Sequence, residues 1–231
     1  MSTENRRSDY CDISVVIPQY GCWEQTVACC SSLWRHHGEG LSIVVVDDGS
    51  SAKDREMSKR FLHSKVCWVE QSHSGITAAW NLGIRNCNSR FLVLLNNDVL
   101  TLTPWLKGVC ERLLACPEGL VGAAVRDERR LSEVNYSGRT ADLGLLEGWC
   151  LCFERVTFGK VGEFDEAMRL YWSDTDWQLR WKKEFGKHSD DFGLIPAGSL
   201  RHVGHVSTEK LEGRSMRWRE DRAVFLEKWR A

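Results

Sequence analysis

The chain has 231 residues, 42% hydrophobic and 27% charged, enough to bury one sizeable core and to be read as one domain over 1–231. Its 31 basic and 32 acidic residues leave a net charge of -1, which excludes a whole-molecule field that would draw it onto nucleic acid or an anionic membrane. Residues 1–12 form a polar tail without the apolar centre of a signal peptide, and no later apolar run is long enough to span a bilayer, so the expected location is cytoplasmic, without membrane insertion.

Ile13 to Ile17 is a β-branched run ended by Pro18, the pattern of a strand buried on both faces. A helical stretch follows from Trp23 to His37, and the unit repeats: strand 42–46, helix 53–62, strand 66–70, helix 74–87, strand 91–95. Such alternation predicts right-handed crossovers and an α/β fold, with a mainly parallel, mixed sheet covered by helices on both faces. The second half is less regular. It reads as a helix over 104–116, a strand over 120–125, a polar loop over 126–142, a strand over 147–153, a helix over 172–185 and a last short strand over 192–195. The tail, 208–231, reads as helical; from Arg201 onward it holds eight Lys or Arg against five Asp or Glu, as expected of an amphipathic helix packed on its own domain.

Ten cysteines lie mostly in apolar stretches, and none form the C-x-x-C pairs of a zinc site, so buried free thiols are expected. Eleven tryptophans offer apolar surfaces that stack on sugars as well as core volume; Trp149, on the expected strand 147–153, is one candidate ligand contact.

Ligands of such sheets bind outside the carboxyl ends of the strands. Those ends carry Pro18-Gln19-Tyr20-Gly21, Asp47-Asp48-Gly49-Ser50, Gln71 to Gly75 and Asn96-Asn97-Asp98. Asp47-Asp48 serves either a plain Asp-Gly turn or a nucleotide's base or ribose. Asn96-Asn97-Asp98 is either an Asx turn or a seat for Mg²⁺ or Mn²⁺, held by one or two carboxylates and diphosphate oxygens. Ser173-Asp174-Thr175-Asp176 opens a helix and could merely cap it, but two acids beside Tyr171, Trp172 and Trp177 also suit a sugar site with a carboxylate base. His202, after the last expected strand, is either structural or a neutral ligand completing a metal shell.

In chain order these segments resemble the inverting nucleotide-sugar glycosyltransferases of family 2, which have the GT-A fold. The resemblance runs from about Ile13 to Ser207: Pro18 with Tyr20, VVVDDGS ending at Ser50, Gly75 with Ala78-Ala79-Trp80-Asn81-Leu82-Gly83, LVLLNNDV around Asp98, GEFDEAMRLYWSDTDWQLR over 162–180, and His202. It implies that Pro18, Tyr20, Asp48 and Asn81 line the nucleotide pocket, with Asn96, Asn97 and Trp149 also on the donor. It implies Asp98 and His202 at a Mn²⁺ or Mg²⁺ ion, Asp174 as general base, and Asp176 as its companion acid. The implied donor is a UDP-, dTDP- or GDP-sugar. The acceptor is a hydroxyl on a glycan, lipid-linked sugar, protein or modified nucleobase, and a homo-oligomer is compatible with the family.

Four positions depart from the pattern: Gly21 replaces Asn, Trp80 replaces Arg, Asn96 replaces the first acid of the triplet, and Ser173 replaces the Glu before the catalytic Asp. A degenerate, non-catalytic binder of the same fold is the alternative these departures raise. A sugar nucleotidyltransferase would want a glycine-rich, basic loop after the first strand, and residues 18–23 hold one glycine and no Lys or Arg.

Overall fold

The computed structural model describes residues 12–124, 144–188, 191–204 and 213–229. The polar stretch 126–142, Ser207 and the start of the expected tail helix lie outside them.

Strands β1 (Ile13–Gln19), β2 (Ser42–Asp48), β3 (Cys67–Gln71) and β4 (Phe91–Leu95) are joined by helices α1 (Trp23–His37), α2 (Ala52–Phe61) and α3 (Ile76–Arg85). β5 (Val99–Thr101), α4 (Leu106–Ala115), β6 (Leu120–Gly122), β7 (Cys150–Glu154), α5 (Arg155–Val161), α6 (Ser173–Phe185), β8 (Gly193–Leu194), β9 (Leu200–His202) and α7 (Arg214–Trp229) follow. The main sheet has seven strands in the order β3-β2-β1-β4-β7-β6-β8. β1 lies parallel to β2 and to β4, whereas β7 runs antiparallel to both β4 and β6. This is the mixed, mainly parallel sheet of the GT-A fold. β4 is therefore where strand direction changes.

Side chains alternate across each central strand, so two cores form. Val15, Ile17, Ile43, Val45, Val93 and Leu95 pack with Leu33 of α1 and with Leu106 and Val109 of α4. Val16, Val44, Val46, Leu92 and Leu94 pack on the other face with Ala79 and Ile84 of α3 and with Trp177 and Trp181 of α6. Gly83 of α3 lies against Val16 and Val46, where a Cβ would overlap Val16. Glycine there lets helix and sheet approach closely.

Four elements differ from the sequence reading, β5 among them, which it did not read as a strand. The segment 147–153 turns before it becomes a strand, because Cys150 N reaches back to Glu147 O and β7 starts only at Cys150. The last strand is β9, which pairs antiparallel with β5 in a separate two-stranded sheet, Val99 opposite His202. α5 also went unread; its seven residues are too short for a clear helical period. Within the described part of the tail, α7 packs Phe225 against Met168 and Trp172. No helix among the described residues is long and apolar enough to cross a membrane.

The nine described cysteines are free, and Cys29, Cys30, Cys87, Cys150 and Cys152 are buried. Burial pushes the Cys30 thiol up to about 12 and Cys110 up to about 11, so these groups stay neutral and pack as small apolar side chains.

His37, at the end of α1, is buried edge-on to Trp105, with ring centroids 5.9 Å apart. Burial, with a smaller push from the neighbouring His36, lowers its pKa to about 4. The unfolded chain therefore takes up this proton first, near pH 6.5, and stability is lost as pH falls from there toward 4. The melting temperature is expected to fall by a few degrees over that window; His37→Gln, measured by thermal melts at stepped pH, should flatten the slope relative to the parent.

Candidate functional site

The first part of the site is built around Asp48, 3% exposed at the end of β2. Its Oδ1 accepts from Ser74 N and Gln71 Nε2, both at 2.7 Å. Its Oδ2 accepts from Gly75 N at 2.9 Å and lies 2.9 Å from His73 Nδ1. A carboxylate offers about four lone-pair positions, and all four face this loop. Asp48 thus holds 71–75 in place instead of presenting an open acceptor to a nucleobase. Asp47 makes the Asx-type turn, accepting from Ser50 N at 3.1 Å. Gly49, at φ +78°, lies where a Cβ would press on the His73 backbone.

The loop carries His73 under Tyr20, their rings stacked with centroids 4.3 Å apart. Tyr20 remains 38% exposed, with Pro18 buried behind it in β1. Gly21 follows at φ +59°, a left-handed conformation that Gly and Asn adopt with little cost; the departure from Asn thus keeps the backbone shape.

The second part gathers at the end of β4. Asn96 N donates to Trp149 O at 2.9 Å, and Asn97 Nδ2 donates to Thr26 Oγ1 of α1 at 3.0 Å. The Oδ1 atoms of Asn96 and Asp98 are both buried without a hydrogen-bond partner. The pairing of β5 with β9 brings His202 to Asp98, Nε2 lying 3.2 Å from that same Oδ1. The indole of Trp149 stacks on the His202 ring, centroids 4.8 Å apart. Trp149 thereby joins the pair, although it precedes β7 instead of lying within it.

Asp174, half-buried in the first turn of α6, lies against Gly148, where a Cβ would overlap its carboxylate. Asp98, His202, Trp149 and Asp174 are thus linked through successive contacts. Asp176 goes elsewhere. Fully buried, it takes Arg180 Nε at 2.9 Å, Lys228 Nζ at 3.0 Å and Trp229 Nε1 at 2.9 Å. This carboxylate anchors α7. Asn81 is likewise buried away from the site, its amide donating to Phe164 O and Glu166 Oε1 and accepting from Phe164 N. Ser173 does not cap α6: its hydroxyl meets Thr77 Oγ1 at 2.8 Å, and the N-cap position is Trp172 at φ +69°.

His73, Gly148 and Asp221, whose carboxylate accepts from the backbone amides of 169–171 just ahead of Asp174, belong to the framework around these residues, and the sequence reading did not single them out. His73 was within reach, lying in the strand-end segment 71–75. Gly148 and Asp221 carry no local signal, since their partners are distant in sequence.

With the geometry in view, comparison with known proteins is direct. The model of glycosyl transferase family 2 matches residues 14–180. The chain belongs to this family. A pre-mycofactocin glycosyltransferase of Mycobacterium tuberculosis is 26% identical over 189 residues, covering 74% of this chain and 38% of that protein. An uncharacterised glycosyltransferase of Rickettsia typhi is 24% identical over 200 residues, covering 79% of this chain and 62% of that one. The chain therefore spans less than two thirds of these family members. In fold it is similar to a mannosyltransferase from Pyrobaculum calidifontis in complex with GDP-Man and Mn²⁺, with a TM-score of 0.62 and 18% identity, over 92% of this chain and 61% of that one.

Removing Asp48 should cost more than a surface acid would, because buried amides lose their acceptor. Asp48→Ala is expected to destabilise the protein by about 2–4 kcal/mol in denaturant unfolding and to speed hydrogen exchange at the amides of 72–76.

Proposed function

We propose that this family 2 chain transfers one sugar from a nucleoside-diphosphate sugar to an acceptor hydroxyl with inversion at the anomeric carbon. The observation that carries the reading is the buried Oδ1 of Asp98, which makes no hydrogen bond and lies 3.2 Å from His202 Nε2 beyond the end of the central strand. A buried carboxylate oxygen without a donor is costly unless a cation completes it. Asp98 and His202 suit a divalent ion such as Mn²⁺ or Mg²⁺, offering one oxygen and one imidazole nitrogen. Among the described residues no group of three or more His, Cys, Asp or Glu could hold a metal, so donor diphosphate and water would supply the remaining ligands. When bound, such an ion neutralises charge that develops on the departing diphosphate.

The chain's own residues do the rest. Tyr20 offers its exposed face to the nucleobase while the loop held by Asp48 shapes the pocket wall. Asn96, with a free buried carbonyl oxygen, can accept from a donor hydroxyl. Asp174 takes the acceptor's proton as that oxygen bonds to the anomeric carbon, and the bond to the diphosphate breaks with its electron pair leaving on the nucleotide. Attack opposite the leaving group inverts the centre in one step. The Pyrobaculum neighbour, holding GDP-Man and Mn²⁺, supports a nucleotide sugar and a divalent ion as the ligands to try first.

Thermal shifts with UDP, dTDP, GDP and CMP, each with Mn²⁺ or EDTA, test the donor half. One nucleotide at about 100 times its Kd should add about 2.7 kcal/mol, a rise of roughly 5–10 °C that requires both Mn²⁺ and Asp98 and is lost in Asp98→Ala. No shift with any nucleotide would overturn the donor site and favour a degenerate fold. For the base, Asp174→Asn should bind nucleotide like the parent while turnover falls at least 100-fold. Gly148→Ala, whose methyl displaces that carboxylate, should lose turnover in the same way; full turnover in Asp174→Asn would remove the base assignment.

A further inference from the structure

Asp174 stands on the segment 168–176, whose backbone has an uncommon shape. Trp172, the residue two before it, adopts φ +69°, a left-handed conformation that a tryptophan holds only where its surroundings force it. The forcing groups come from α7. Trp218 and Phe225 pack on the Trp172 ring, with centroids 5.6 and 5.0 Å away. Asp221, 4% exposed between them, points its carboxylate at the chain just before the turn. Oδ1 accepts from Arg169 N at 3.1 Å, and Oδ2 accepts from Leu170 N at 2.9 Å and Tyr171 N at 2.8 Å. Beyond the turn, Lys228 and Trp229 of the same helix grip Asp176.

We infer that α7 is a clamp on the acid-bearing turn and that Asp221 is a positioning residue for Asp174. This rests on the reading of Asp174 as the base. Three successive backbone amides aimed at one buried carboxylate fix the peptide planes of 169–171, leaving the strained Trp172 one arrangement and so fixing where α6 begins. A carboxylate base depends on that placement, because an offset of about 1 Å can cost on the order of 100-fold in rate.

The donor side touches the same turn at Arg169 but is held mainly from β2. The loop 71–75 has its own anchor in Asp48, with four contacts that do not involve α7. Arg169 touches that loop, its guanidinium donating to Ser74 O and His73 O, but Asp48 remains when Asp221 is changed. A defect at Asp221 should therefore appear in turnover and spare donor affinity. An amide at 221 keeps one acceptor oxygen but turns an N–H₂ group toward backbone donors, which loosens the turn without removing the side chain's volume.

The test compares the parent, Asp221→Asn, Asp174→Asn and the core control Ile84→Val in release of nucleoside diphosphate from UDP-glucose, dTDP-glucose and GDP-mannose with Mn²⁺, using the donor the parent turns over. Asp221→Asn should lose about 10- to 100-fold in kcat with donor KM within about threefold, while Ile84→Val, similarly destabilised, keeps the parent kcat. If Asp221→Asn does not fold, Trp218→Leu carries the same test with the same split. Asp174→Asn inactive but Asp221→Asn at parental kcat, or a rise in KM alone, overturns the clamp and leaves the base in place. Asp174→Asn at parental kcat overturns the base and the clamp together.

Discussion

A sheet buried on both faces has no room along its strands for unpaired polar groups, and that constraint shapes the whole molecule. β1, β2 and β4 are apolar over nearly their full length because helices cover each side. Carboxylates and amides are therefore concentrated where the strands stop. β4 lies between a parallel and an antiparallel neighbour, so its end faces the turn before β7 and not another crossover helix. Trp149 of that turn meets the end of β4, its carbonyl accepting from Asn96 N.

The buried aspartates among the described residues divide into two kinds. Asp47, Asp48, Asp176 and Asp221 are each met by backbone amides, an indole or cationic side chains, and their work is architectural. Asp98 differs in having a buried side-chain oxygen that makes no hydrogen bond and lies 3.2 Å from a histidine nitrogen. Burial alone does not set one carboxylate apart here; a side-chain oxygen left without a hydrogen bond does.

The strand-helix alternation was legible because each apolar run was short, β-branched and closed by turn residues, so β1 through β4 and their helices emerge nearly in full. The strand-end residues were legible for the same reason. What the sequence concealed was direction and partnership. Asp48 and Asp98 look alike on paper, both following four or five apolar residues, yet one is saturated by a loop 23–27 residues ahead and the other is not. Asp176 read as a companion to Asp174 because it follows in the same motif with only Thr175 between them; along a helix that spacing sends side chains to different faces, and Asp176 faces Lys228. β5 and β9, three residues each, were too short to carry a period, although their pairing brings His202 to Asp98.

Gly75 lies so close to Arg169 that a Cβ there would overlap the carbonyl oxygen, and Thr77 N donates to that same oxygen. The start of α3 and the acid-bearing turn therefore meet at a close seam. Their assembly, however, is staggered in time. β1 to β4 close through contacts between near neighbours in the chain, whereas the groups that lock 169–176 arrive about 50 residues later, with Asp221, Lys228 and Trp229. During synthesis β1 to β4 can pair while the turn at 169–176 is still unanchored, and α7 fixes that turn afterwards.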